Sequence, residues 1–148
     1  MILRERKATG ALLACVFLWA LWSLTTNRHV TDLRPVGITE AHPGGTATIE
    51  YVGTETKVCD GRVHRSITDS TGAFHDLPDA DVFRLPFHDL NKKVTFWHEF
   101  PVPWKVAPGP ATYHSEVVRY CNFLQWLVWP SVERYHIKFN VTAATRPE

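Results

Sequence analysis

The chain carries almost no net charge. Its 16 lysines and arginines nearly balance its 15 aspartates and glutamates, which leaves a formal net charge of +1 at pH 7. Proteins that bind nucleic acid through its phosphates normally show a clear basic excess on one face or segment. The composition therefore argues against nucleic acid as a partner.

Recognisable catalytic motifs are also missing. The sequence has no Gly-x-Ser-x-Gly, no His-Glu-x-x-His, no P-loop and no dinucleotide fingerprint. Two pairs, His75-Asp76 and His88-Asp89, could supply a metal site or an acid–base pair, but their separation of 13 residues matches no metal signature. We interpret both as loop segments that bury Phe and Leu while His and Asp face water. The sequence thus predicts no enzyme, no metal and no cofactor, and a hydrolase using these pairs is retained as an alternative.

An uncharged run long enough to cross a membrane occurs near the N-terminus. Residues 8–26 carry no charge and follow three basic residues, Arg4, Arg6 and Lys7. A helix of about 19 residues nearly spans the ~30 Å hydrocarbon core of a bilayer, and the basic excess before it favours a cytoplasmic N-terminus. We therefore predict an uncleaved transmembrane signal anchor that places the rest of the chain in the periplasm or outside the cell. Cleavage as a signal peptide and lipidation at Cys15 are the alternatives.

Cysteine is scarce, with three in the chain. Cys15 falls in the predicted anchor, where we interpret it as a small apolar residue. Cys59 and Cys121 fall in the predicted oxidising compartment, where two thiols normally pair. Closing a loop of about 60 residues stabilises a fold by roughly 4 kcal/mol in the chain-entropy model. We predict a Cys59–Cys121 disulfide, and two buried free thiols are the alternative.

Beyond a linker at 27–32, the hydrophobic pattern changes to an alternation with a period of two, which is typical of half-buried strands. Prolines fall between the candidate strands, as they do in antiparallel folds. The pattern predicts one all-β antiparallel sandwich over 33–143, followed by a disordered tail at 144–148. The predicted strands are 33–40, 45–52, 62–68, 92–100, 111–121 and 132–142, with a variable region at 73–90.

The alternation also predicts which side chains face the interior. Ile49 and Tyr51 share the inward face of the second predicted strand. The third predicted strand turns Val63 and Ile67 inward, and its period places Arg65 on the same face. A charged side chain does not suit an apolar interior. Arg65 is therefore the member of this face that the pattern does not explain.

The segment Gly109-x-Ala111-x-Tyr113 resembles the tyrosine corner of immunoglobulin-like domains, where the chain enters strand F. The resemblance implies an immunoglobulin-like β-sandwich in which the Tyr113 ring joins the core and its hydroxyl bonds to backbone just upstream. Ser115 stands where antibody domains have a cysteine, so their intersheet disulfide is not expected. In this register the two cysteines predicted to pair lie in the B–C loop and at the end of strand F, which share one end of the sandwich.

The connection between the last two predicted strands is apolar, although loop tips are normally polar because they face water. Its large apolar residues are Phe123, Leu124, Trp126, Leu127 and Trp129. In the immunoglobulin-like register this loop lies at the same end as the start of strand A, which follows the anchor. We predict that the loop contacts the bilayer or a partner's membrane segment. Packing of these residues into the core, as extensions of the flanking strands, is the alternative.

The sequence therefore predicts a single-pass, membrane-anchored interaction module that lies outside the cytoplasm. Its expected role is that of an accessory or scaffold subunit, with the lipid bilayer and a membrane protein as partners. The alternative is a small-ligand or glycan-binding module that stacks sugar rings on exposed tryptophans. The candidates for such stacking are Trp97, Trp104, Trp126 and Trp129.

Overall fold

A computed structural model describes residues 2–25, 34–82 and 89–143 of the chain. The predicted linker at 27–32, the predicted tail at 144–148 and His88 of the second His-Asp pair lie outside the described residues.

Two helices and seven strands make up the described part of the chain. Helix α1 is Ile2–Thr25 and helix α2 is Phe123–Leu127. Over the described residues, neither helix combines the length and the apolar character needed to cross a membrane. The strands are β1 Arg34–Ile38, β2 Thr46–Thr54, β3 Asp60–Thr68, β4 Phe74–Asp81, β5 Lys93–Pro101, β6 Gly109–Tyr120 and β7 Ser131–Val141.

The strands form two antiparallel sheets, and together they make a β-sandwich. The three-stranded sheet has the order β1-β2-β5, and the four-stranded sheet has the order β4-β3-β6-β7. Six of the strands correspond to predicted ones, and β4 lies inside the region predicted as variable. The all-β antiparallel prediction is therefore confirmed for this part of the chain.

The core lies between the sheets and is built from the inward faces that the alternation predicts. Ile49 and Phe100 of the three-stranded sheet are fully buried, as is Tyr113 of the four-stranded sheet. The Phe100 ring centroid lies 4.6 Å from that of Tyr113 and 6.1 Å from that of Phe139, so the two sheets meet through aromatic contacts. Burying a side chain of this size contributes about 1.5–3 kcal/mol. These contacts fix the packing of one sheet on the other.

The segment that resembles a tyrosine corner only partly matches that motif. The Tyr113 ring is buried as expected, and Gly109 has a φ of +123°, a conformation that favours glycine. The Tyr113 hydroxyl, however, makes no hydrogen bond of normal geometry to any residue that the structure describes. It lies beside the Tyr51 hydroxyl and the Arg65 guanidinium, and burial raises its pKa. The expected bond to upstream backbone is therefore not formed.

The strand pairings place several chain connections at one end of the sandwich. Asp60 at the start of β3 pairs with Tyr120 at the end of β6, and Arg119 pairs with Ser131 at the start of β7. Arg34 at the start of β1 pairs with Val52 near the end of β2. The connections 55–59 and 121–130 thus share the end at which β1 begins, as the sequence predicts. We call it the loop end.

Candidate functional site

A disulfide anchors the loop end, as the sequence predicts. Cys59 and Cys121 are bonded, with their Cα atoms 4.4 Å apart. Cys59 belongs to the connection between β2 and β3, and Cys121 directly follows β6. The bridge therefore ties the start of β3 to the base of the connection that carries α2.

Hydrogen bonds of the capping-box type fix helix α2 on this base. The Asn122 side chain caps the helix by accepting a hydrogen bond from the Gln125 backbone N–H at 2.8 Å. The Gln125 side chain is buried, and its Oε1 accepts from the Cys121 backbone N–H at 2.7 Å. The two capping residues are three positions apart, the spacing of a capping box, but Gln125 bonds the N–H of the residue before the cap rather than that of the cap itself. Because Gln125 points inward, its helical neighbours are turned outward.

The outward residues form an exposed apolar surface at the loop end, which we call the apolar surface. Trp126 is 66% exposed and Trp129 is 62% exposed, while Leu124 is half-buried. The Phe123 and Trp126 rings stack with their centroids 6.3 Å apart. Its members are Phe123, Trp126, Leu127, Val128 and Trp129. Of the residues predicted to contact a membrane or partner, all but Leu124 therefore lie on the outside of the fold rather than in its core.

Two open grooves flank Trp126. One has a volume of about 720 Å³ and is bordered by Lys57 and Phe123, and the other has a volume of about 780 Å³ and is bordered by Arg62. Both grooves share Asp60, Tyr120 and Trp126 in their walls. Both grooves are open to solvent, whereas small-molecule sites bury most of their ligand. Trp126 thus stands as a ridge between two concave surfaces.

A buried ion pair fills the interior beside the loop end. Arg119 Nη1 donates to Glu55 Oε1 at 3.2 Å, and both residues are buried. Glu133 Oε2 lies 4.0 Å from Arg119 Nη2 and accepts a 2.8 Å hydrogen bond from the Tyr135 hydroxyl. Burial, followed by that hydrogen bond, raises the pKa of Tyr135. Since a buried ion pair adds little net stability but is costly to break, its effect here is to tie the end of β2 in one sheet to the end of β6 in the other.

Arg65, which the strand pattern left unexplained, joins the two sheets. Its Nε and Nη2 donate to the Pro78 carbonyl, and its Nη1 donates to His98 Nε2 at 2.6 Å. Because His98 Nε2 accepts this bond, the His98 ring is neutral. Burial, and then the Arg65 charge, lower the pKa of His98. The buried guanidinium is thus satisfied by a backbone carbonyl and an imidazole.

The interior beside these polar groups is too small for an organic ligand. A cavity of about 40 Å³ lies between the sheets, lined by Tyr51, Phe96, His98, Val117 and Tyr135 among others. That volume holds about one or two water molecules, whereas sites for small organic ligands measure about 300–1,000 Å³. The candidate functional surfaces of the described residues therefore lie on the outside of the sandwich.

The His75-Asp76 pair, the one of the two that the structure describes in full, does not act as a pair. His75 Nε2 donates to Asp69 at 2.9 Å rather than to its neighbour Asp76, which is exposed. Phe74 is also exposed and Leu77 is buried, and these residues lie in β4. The interpretation of this segment as a loop that buries Phe and exposes His is therefore wrong, because β4 turns alternate residues to opposite faces.

The four tryptophans proposed for sugar stacking are exposed but occupy different parts of the molecule. Trp97 lies in the middle of β5, and Trp104 follows the end of β5 that pairs with the start of β2. That end of the sandwich lies opposite the loop end, which carries Trp126 and Trp129. The four rings therefore do not form one platform.

A histidine pair that the sequence does not single out lies on the outward face of the four-stranded sheet. His114 of β6 and His136 of β7 are direct cross-strand partners, with their Nδ1 atoms 2.7 Å apart. Burial, and then the neighbouring His136, lower the pKa of His114. Alternation shows that both side chains face outward, but only the strand register shows that they are opposite each other.

Comparison with known proteins identifies no relative, since no family model and no curated protein matches the sequence.

Proposed function

We propose that this protein is a membrane-anchored interaction module that binds a protein partner at the membrane surface through its apolar surface. In this proposal the membrane anchor is the uncharged segment 8–26, which places the sandwich in the periplasm or outside the cell. The sandwich is proposed to be of the immunoglobulin-like type. The role is that of an accessory or scaffold subunit.

The exposed apolar surface is the observation that carries the proposal. Singly exposed apolar side chains are ordinary, but a contiguous group of large ones marks an interaction site. Here two tryptophans and a phenylalanine are exposed within seven residues of one connection. Aromatic anchors of this kind dominate the binding energy of protein interfaces. The rigid base below them, made by the disulfide and by Gln125, reduces the entropy lost on binding.

The position of the apolar surface fits a partner at the membrane. β1 begins at the loop end. Its first residue, Arg34, lies nine positions after Thr25, the last residue of α1. Nine residues reach at most about 30 Å. An anchor ending at Thr25 therefore keeps the loop end close to the bilayer, where a membrane protein partner is accessible.

Site-specific photocrosslinking in native membranes tests the proposal. A photoreactive phenylalanine analogue replaces Trp126 in the full chain, and the same analogue replaces Trp97 as a matched control. Both tryptophans are 66% exposed, but Trp97 lies on a strand away from the loop end. We expect position 126 to give a discrete adduct with a membrane protein, at least tenfold more abundant than any adduct from position 97.

A variant without the two tryptophans tests whether partner binding is lost. Trp126→Ser with Trp129→Ser removes the aromatic anchors while changing the free energy of unfolding by no more than about 0.5 kcal/mol, because both side chains are exposed. We expect that a photoreactive residue placed elsewhere at the loop end of this variant no longer forms an adduct with the partner. Equal adducts from positions 126 and 97 would contradict the proposal, as would adducts with lipid alone, which would assign the surface to the bilayer.

A further inference from the structure

We propose that His114 and His136 form a two-histidine site for a divalent late first-row transition metal ion of the Cu²⁺, Ni²⁺ and Zn²⁺ group. The site lies on the outward face of the four-stranded sheet, away from the apolar surface. It is independent of the proposed function.

The backbone register brings the two imidazoles together. His114 and His136 are directly opposite each other in the antiparallel pair of β6 and β7. Their ring centroids lie 4.9 Å apart at an interplanar angle of 72°, and their Nδ1 atoms are separated by 2.7 Å. Two nitrogens bound to one metal at right angles, each at about 2.05 Å, are about 2.9 Å apart. The spacing therefore suits two adjacent ligands, provided that both rings turn so that their Nδ1 lone pairs converge on the metal.

A neighbouring hydroxyl orients one of the two rings. The Thr68 Oγ1 atom lies 2.9 Å from His114 Nε2, the nitrogen that faces away from His136. Metal-binding histidines usually donate their second ring N–H to such a partner, which fixes the ring and leaves the other nitrogen for the metal. In the metal-bound form, Thr68 accepts from Nε2 and His114 binds the metal through Nδ1.

The surroundings leave room for further ligands of the metal. The pair borders an open groove of about 400 Å³ that also contains Asp76 and Glu116. Within the described ranges, no group of three histidines, cysteines or carboxylates is placed to hold a metal, and Arg134 Nε already bonds Glu116 at 2.6 Å. The site therefore supplies two nitrogens and leaves the other positions to water or to a ligand from outside. Nitrogen donors select Cu²⁺, Ni²⁺ and Zn²⁺ over Mg²⁺ and Ca²⁺, which prefer oxygen.

Equilibrium dialysis of the full chain, purified in detergent without a histidine tag, tests the site with Cu²⁺ and Zn²⁺. We expect one equivalent per chain that depends on both histidines, with Cu²⁺ bound more tightly than Zn²⁺. His114→Asn and His136→Asn should each weaken binding at least tenfold. Thr68→Val should weaken it about tenfold, while Thr68→Ser restores it. The matched control is His42→Asn, since His42 is exposed and lies in the connection between β1 and β2, outside this groove.

Electron paramagnetic resonance of the Cu²⁺-loaded wild-type chain gives an answer that does not depend on how the variants fold. We expect hyperfine coupling to two imidazole nitrogens per Cu²⁺. Coupling to one nitrogen or none would overturn the proposal. Dialysis would also overturn it if His42→Asn weakened binding as much as His114→Asn, or if the wild type bound no more metal than the His114→Asn chain.

Discussion

The Asp69 carboxylate illustrates how one buried side chain can determine a local structure. Asp69 accepts five hydrogen bonds, from Thr71 N and Oγ1, Ala73 N, His75 Nε2 and Ala107 N. Three of these bonds close the turn between β3 and β4, and the bond to Ala107 fixes the segment that leads into β6. The Thr71 hydroxyl, then Ala107 and His75, hold the pKa of Asp69 well below its usual range.

We predict that Asp69→Asn removes part of the acid sensitivity of the fold. Because the pKa of Asp69 is lowered on folding, its contribution to stability is complete above the ordinary carboxyl range, near about pH 4. The contribution is lost as the pH falls through the folded pKa. The variant should therefore have a lower Tm at pH 7 and a shallower decline of Tm on acidification below about pH 4. Thermal unfolding over this pH range measures both effects.

The control for this prediction is Asp79→Asn. Among the residues that the structure describes, Asp79 bonds His64 Nδ1 at 2.8 Å, and both side chains are about half exposed. Replacing it should leave the decline of Tm with acidification close to that of the wild type. A wild-type decline in Asp69→Asn, or an equal change in both variants, would show that Asp69 does not have the role described.

At the residue scale, the sequence shows which side chains are unusual but not which groups they meet. The alternation correctly places Arg65 on an inward face, yet its partners, Pro78 and His98, come from 13 and 33 residues away. In the same way, the sequence places His114 and His136 on outward faces without showing their contact. Both outcomes depend on strand register, which a local pattern does not determine.

At the scale of elements, the apolar residues of α2 are predicted and the helix itself is not. An apolar run without clear periodicity does not distinguish a helix from a strand or loop. The sequence does contain the signal that identifies α2, because Asn122 and Gln125 have the spacing of a capping box. β4 is missed for a related reason: its sequence contains Pro78 and alternates poorly, as edge strands often do.

The disulfide is the element-scale feature with the largest expected effect on stability. It closes a loop with a sequence separation of 62 residues. We predict that Cys59→Ser with Cys121→Ser lowers the free energy of unfolding by about 4 kcal/mol, because the unfolded chain regains the entropy of that loop. Chemical denaturation of the full chain in detergent measures the change.

The third cysteine supplies the control. Cys15 lies in α1 and is not in a disulfide, so Cys15→Ser should leave the denaturation midpoint unchanged. A loss of stability in Cys15→Ser equal to that of the double variant would indicate that the chemistry of cysteine replacement, rather than the Cys59–Cys121 bridge, causes the effect.

At the scale of the whole molecule, the sequence predicts the architecture better than it predicts the function. Each of the six predicted strands overlaps a strand of the structure, and the inward faces agree, because alternation follows directly from the pleat of a half-buried strand. The exposed apolar surface and its place beside the start of β1 are also predicted. What binds this surface depends on the partner's shape and chemistry, which a single chain does not encode.

The proposed membrane anchor is tested on the whole molecule by extraction. We predict that the full chain stays with membranes in alkaline carbonate. Leu13→Lys with Phe17→Lys should release it, because a lysine at the centre of a membrane helix costs about 2.5–3.5 kcal/mol on insertion scales. The control is Val36→Lys with Val132→Lys, which adds the same charges at exposed positions of the sandwich. Release of the unmodified chain into the supernatant would contradict the prediction.

Cys121 directly precedes Asn122, the residue that caps α2. The bond to Cys59 therefore does more than stabilise the fold against denaturation. It also fixes the base of the connection from which the tryptophans project. Under the proposed function, formation of the disulfide is also the step that makes the protein able to bind its partner. A newly made, still reduced chain would not present its tryptophans in a defined arrangement, so assembly with the wrong protein before export would be disfavoured.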